Sequence, residues 1–115
     1  MVYSFPEDER LKTKHEFEEV FKYGKKVNTK LFRAYVLISK SRKLGIIISK
    51  KVSKSAVRRN KIKRQIRELY RTNKFRIPDN IRIILIALSQ AEKSSFDEIS
   101  EDILQIFDRI SNFPD

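Results

Sequence analysis

Short amphipathic stretches alternate with short apolar runs along the chain, and no repeat, low-complexity tract or Gly/Ser linker separates them. Thr13-Lys14-His15-Glu16 has the Thr-x-x-Glu spacing of a capping box, and Phe17, Val20 and Phe21 follow at i, i+3 and i+4. Together they predict a short helix over about residues 14–23, stopped by Gly24. Residues 27–39, with Phe32, Tyr35, Val36 and Ile38, predict extended structure. Ser41-Arg42-Lys43 then reads as a hairpin link into a second strand over residues 44–50, which carries Gly45 and the β-branched triplet Ile46-Ile47-Ile48. A basic helix follows over residues 54–71, and Pro78-Asp79-Asn80 marks a break. Residues 81–88 predict a buried strand, apolar on both faces apart from Arg82. Finally, Phe96, Ile99, Ile103, Ile106, Phe107 and Ile110 recur at helical spacing opposite Asp97, Glu98, Glu101 and Asp102, with Ser94 or Ser95 as cap. Helix, two or three strands, helix, strand, helix: the order predicts an α+β sandwich.

A length of 115 residues suits one domain spanning 1–115. Cysteine is absent, which excludes disulfides and thiolate metal sites and points to the reducing cytoplasm. Residues 1–10 lack the apolar segment of a secretory signal, and the longest apolar run, residues 83–88, is too short for a bilayer, so no membrane partner is expected.

Charge sharpens the picture. The net charge is +11, and residues 50–76 hold twelve Lys/Arg against the single acid Glu68, so this segment alone carries the whole excess. A field focused on one segment fits a polyanion partner better than a uniformly solvated coat. On a helical wheel Arg59, Lys63, Arg67, Asn60, Arg71 and Arg64 share an arc of roughly 140°. Ile62, Ile66, Leu69 and Tyr70 occupy the neighbouring arc of roughly 100°, the width needed to dock on a sheet. Arginine forks grip phosphate bidentately, lysine adds point charge, and Asn60 can both donate and accept at a base edge or 2′-hydroxyl. Lys50 and Lys51, beside the helix N-terminus, could be loop charges, but their position fits phosphate contacts better.

Protein-side catalysis has little support in these residues. No Ser/His/Asp or Cys/His arrangement is available, His15 reads as a solvated helix residue, and the acids lie away from the basic segment. A helix-turn-helix would need a helix where residues 44–50 are strand-like, so DNA is not the expected partner. The aromatic stripe of Phe17 and Phe21 is either core or the rim of a binding cleft, and Tyr35 is divided the same way.

Residues 44–52 (Leu-Gly-Ile-Ile-Ile-Ser-Lys-Lys-Val), running into Ala56-Val57-Arg58-Arg59-Asn60-Lys61-Ile62-Lys63-Arg64-Gln65-Ile66-Arg67-Glu68, closely resemble the protein component of bacterial ribonuclease P. The Phe17-x-x-Val20-Phe21-x-x-Gly24 pattern and both long strands sit where that family places them. Lys61 departs from the family's second arginine, and Ser53 from its frequent glycine. The resemblance implies a four-stranded sheet packed with three helices, a ribosomal S5 domain 2-like fold with a left-handed β-α-β crossover. It also implies the partners: the catalytic RNA, which performs the Mg2+-dependent cleavage, and precursor tRNA, with no catalytic residue in the protein. A cleft for the 5′ leader would be lined by Phe17, Phe21, Tyr35, Asn60, Lys63 and Arg67. The basic patch would comprise Lys50, Lys51, Lys54, Arg58, Arg59, Asn60, Lys61, Lys63, Arg64, Arg67 and Arg71. A non-catalytic RNA-binding module associated with the ribosome is the alternative.

Overall fold

In the computed structural model, which describes residues 7–111, three helices pack on a four-stranded mixed sheet. The expected lack of a secretory segment in residues 1–10 and the expected domain reaching residue 115 fall partly on residues 1–6 and 112–115, which lie outside the described residues. The helices are α1 (Lys14–Tyr23), α2 (Ala56–Asn73) and α3 (Phe96–Ser111). The strands are β1 (Lys25–Asn28), β2 (Phe32–Ile38), β3 (Lys43–Ile47) and β4 (Ile81–Ala87), in the order β1-β2-β4-β3. β3 and β4 are parallel neighbours joined through α2, which forms the β-α-β crossover.

Two sequence expectations need correction. The extended stretch 27–39 is two strands, because the Thr29-Lys30-Leu31 turn is held by the buried carboxylate of Asp102, which accepts from the Thr29 hydroxyl and from the Leu31 N–H at 3.3 Å. The Ser41-Arg42-Lys43 segment is also no hairpin link, since β2 and β3 never touch as neighbours. The place beside β2 goes to β4, the strand apolar on both faces, which hides most surface at the centre of the sheet. Residues 39–42 instead pass the end of β4: the Ser39 N–H donates to Asn80 O at 2.7 Å, and Arg42 to Ile77 O at 3.3 Å.

The sheet separates two apolar layers. On one face Phe32, Ala34, Val36, Leu44, Ile83 and Leu85 pack with Ile62, Ile66, Leu69 and Tyr70 of α2 and Ile99, Ile103, Ile106 and Phe107 of α3. On the other, Ile84, Leu11 and Val20 gather Phe17, Tyr35, Leu37, Ile47 and Ile86. The wheel therefore assigns the docking side of α2 correctly. Gly24 ends α1 in an extended conformation (φ −78°), and glycine is needed there because a Cβ would lie 2.5 Å from Val20 O. Ser55 caps α2, accepting from the Arg58 N–H at 3.2 Å, while Ser53 accepts from the Ser55 N–H at 3.3 Å.

α1 is tied down by its capping box. Glu16 accepts from the Thr13 and Lys12 N–H groups, both at 3.1 Å, and from Lys43 Nζ at 2.8 Å. The Lys43 ammonium, then the two backbone donors, hold the Glu16 carboxyl down at about 2, below its ordinary 4.5. Its contribution to stability is thus full above about pH 4.5 and fades as pH falls toward 2. Glu16→Gln, which can still cap but carries no charge, is expected to lower the melting temperature at pH 7 by about 5 °C, from loss of about 1 kcal/mol of charge pairing with Lys43 and charge-assisted bonding. That difference should shrink on titration to pH 3; a constant gap in circular-dichroism melts would contradict the assignment.

Candidate nucleic-acid interface

The strand register builds the α1 face of the sheet as successive rows. Leu37, Arg82 and Lys43 form the first, and α1 is clamped on it by Arg82–Glu19 at 2.6 Å and Lys43–Glu16 at 2.8 Å. Lys26, Tyr35, Ile84 and Gly45 form the second, beneath the two phenylalanines of α1. Phe17 lies over Gly45, where a Cβ would come within 2.7 Å of its ring. Phe21 stands edge-on to Tyr35 with ring centroids 5.0 Å apart, and Lys26 Nζ sits 5.8 Å from the Tyr35 ring centre. Asn28, Arg33, Ile86 and Ile47 form the third row, where Arg33 is exposed and both isoleucines are partly exposed.

Burial places these rings between core and surface. Phe17 and Tyr35 are half-buried in the smaller apolar layer, whereas Phe21 remains 38% exposed at its edge. The third row, with Arg33, was missed in the sequence because its membership follows from strand register, which no local pattern fixes.

α2 approaches the same place from the open edge of β3. Lys63 and Arg67 share a small groove with Arg10, Leu11, Phe17 and Gly45, so two helix cations do meet Phe17. Asn60 is exposed but does not line this groove. Lys50, Lys51, Lys54, Lys61, Lys63, Arg64 and Arg67 make no ion pair with any described residue. Their charges are uncompensated by described acids along residues 50–67, the pattern that attracts a polyanion.

Three other members of the basic set are committed within the fold. Arg58 donates to the carbonyls of Glu92 at 3.0 Å and Ser94 at 2.8 Å, which pins the segment before α3. Arg59 donates to Ser53 O at 2.8 Å, closing the loop that enters α2. Arg71 is paired with Glu68, whose carboxyl the guanidinium holds below the usual range. Composition alone counts these arginines as RNA contacts; spacing could not show that backbone carbonyls from residues 91–94 would claim Arg58.

A family model described as ribonuclease P matches residues 5–111. The ribonuclease P protein component of Desulfosudis oleivorans is 38% identical over 98% of this chain and 95% of its own length. That of Thermotoga maritima is 37% identical, covering 96% of this chain and 98% of the relative. Among solved structures, the Staphylococcus aureus RNase P protein superposes with a TM-score of 0.80 at 33% identity, over 90% of this chain and 98% of the other. The Thermotoga maritima RNase P protein gives the same TM-score at 31% identity, over 89% and 97%. The ribosome-associated alternative is not favoured by these matches. A near-complete match in sequence joins a matching fold and a basic helix set beside an aromatic-lined sheet face: the chain belongs to the ribonuclease P protein family.

Proposed function

We propose that this chain, as the protein subunit of a ribonuclease P holoenzyme, docks on the catalytic RNA through α2 and holds the 5′ leader of precursor tRNA against α1 and the sheet. The carrying observation is the surface on which Phe21 and Tyr35 meet under Lys26 while Phe17 meets Lys63 and Arg67. Rings can stack on unpaired bases of any sequence, and cations at the spacing of one or two helical turns can follow the phosphates between them. Arg33 and Asn28, joined by a 3.2 Å hydrogen bond, add polar groups on the third row.

The protein's share of the reaction is binding and orientation. Glu9, Glu16, Glu19 and Glu68 are each occupied by a cation. Among the described residues no group of three or more His, Cys, Asp or Glu side chains could hold a metal ion. In this reading Mg2+ is bound chiefly by the RNA. No described helix is long and apolar enough to cross a membrane. The place of action in this reading is the cytoplasm, with RNA as partner instead of DNA or a bilayer.

Reconstitution tests it directly. The purified chain, the RNA subunit and a 5′-extended precursor tRNA are mixed at near-physiological magnesium. Cleavage at the mature 5′ end is expected to require the RNA and to be stimulated by the protein. Trimming the leader should weaken binding to the holoenzyme. Absence of stimulation, or cutting by the protein alone, would overturn the proposal.

A further inference from the structure

Phe96 opens α3 in line with the apolar stripe of Ile99, Ile103 and Ile106, and the sequence pattern places it in the core with them. The three isoleucines are fully buried, but Phe96 is 59% exposed. It stands on the wall of a groove of about 600 Å³ between α2 and the start of α3, whose other walls include Arg58, Lys61, Arg64, Gln65 and Glu68. None of these residues lines the groove that holds Phe17, so α2 has two distinct wet flanks.

The backbone that carries the ring is held in place. Gln65 donates to Phe96 O at 2.8 Å, and Arg58 fixes the preceding residues through the carbonyls of Glu92 and Ser94. Ser95 and Glu98 complete a reciprocal cap at the helix start, at 3.1 and 2.9 Å. Charge then decides what could occupy the groove. Its one carboxylate, Glu68, is paired with Arg71, whereas Lys61 and Arg64 have no ion partner among the described residues. An exposed aromatic face beside two uncompensated cations matches a stacked base with its phosphates. A purely apolar partner would leave both cations desolvated without a counter-charge. A cavity of this size is also ample for one nucleotide.

We propose that this groove seats an unpaired nucleotide of the RNA subunit, its base on Phe96 and its phosphates on Lys61 and Arg64. The inference rests on the reading of the chain as a ribonuclease P subunit, and it assigns the two flanks of α2 to different strands: leader on one, RNA subunit on the other.

The test compares the unmodified chain with Phe96→Ala, Phe96→Leu and Phe96→Trp, each checked by thermal melting. Affinity for the RNA subunit alone is measured first, then the ratio of holoenzyme affinities for leader-bearing precursor and mature tRNA. Phe96→Ala should weaken RNA-subunit binding about tenfold, the loss of one stacked base. Phe96→Trp should restore it and Phe96→Leu should not, while the leader ratio stays fixed. Unchanged binding by the alanine variant, or full rescue by leucine, would overturn the proposal, the latter by reducing Phe96 to a packing residue. A change confined to the leader ratio would also overturn it, by assigning the groove to the substrate. Were the unmodified chain itself unable to bind the RNA subunit or stimulate cleavage, the functional reading would fall together with this one.

Discussion

With Lys63 and Arg67 both replaced by alanine, holoenzyme affinity for leader-bearing precursor tRNA is expected to fall about thirtyfold, or about 1 kcal/mol for each lost contact. Both cations line the groove with Phe17, where a backbone phosphate can reach them while its base meets the ring. Neither is paired with a described acid, so removing them leaves no carboxylate stranded. Deleting two like charges from a helix this basic relieves repulsion, and the melting temperature should hold or rise slightly. The salt dependence gives an independent check. Each phosphate contact on a single strand contributes about 0.7 to the log–log slope, so the double variant should be shallower by about 1.4. Mature tRNA, lacking the leader, should bind as before. An equal loss for mature tRNA would move these cations to the RNA-subunit side, and a lower melting temperature would make them structural.

The legible parts of this fold are those written in local period. The capping box of α1, the docking arc of α2 and the doubly apolar β4 follow from spacing alone, because each depends on residues within a turn or two of one another. Strand order was not legible. The pairing of β3 with β4 is settled by competition for the centre of the sheet, and 33 residues lie between Ile47 and Ile81. The same limit applies to the interface. The basic segment was evident from charge, but the division of its arginines between internal carbonyls and the surface was not. Arg58 and Arg64 look equivalent on paper, yet one is consumed by carbonyls more than thirty residues away and the other is exposed. Phe96 shows the converse error: a pattern that is correct for Ile99 onward extends one turn past the edge of the core.

Glu9→Ala should be the most destabilising single change outside the apolar core, costing about 2 kcal/mol and about 10 °C of melting temperature. The Glu9 carboxylate lies in a short 3-10 turn, Glu7–Glu9, and gathers three groups from elsewhere in the chain. It accepts from the Tyr70 hydroxyl at 2.5 Å and from Lys74 Nζ at 2.8 Å, with Arg42 3.8 Å away. Burial pushes this carboxyl up, but the hydrogen bonds from Lys74 and Tyr70 and the Arg42 charge outweigh it and hold it below its ordinary range. Burial and the same carboxylate push the Tyr70 phenol well above its own. Because Glu9 is lowered in the fold, its contribution is full above the ordinary carboxylate range and is lost as pH falls below it. Removing the carboxylate takes a paired negative charge from two cations whose side chains are 11% and 19% exposed, the costly direction for a partly buried cluster. Tyr70→Phe, which keeps the ring in the core and removes the hydroxyl's bond to Glu9 but leaves the carboxylate on its cations, should cost only about 1 kcal/mol. The consequence reaches the interface, since the turn leads directly into Arg10 and Leu11, which pair with Leu44 and wall the groove beside Phe17. Loosening it should therefore weaken binding of leader-bearing precursor at temperatures where the domain is still folded. If Glu9→Ala melts like the unmodified chain, or if Tyr70→Phe costs as much, the cluster is not what holds the Glu7–Glu9 turn against α2.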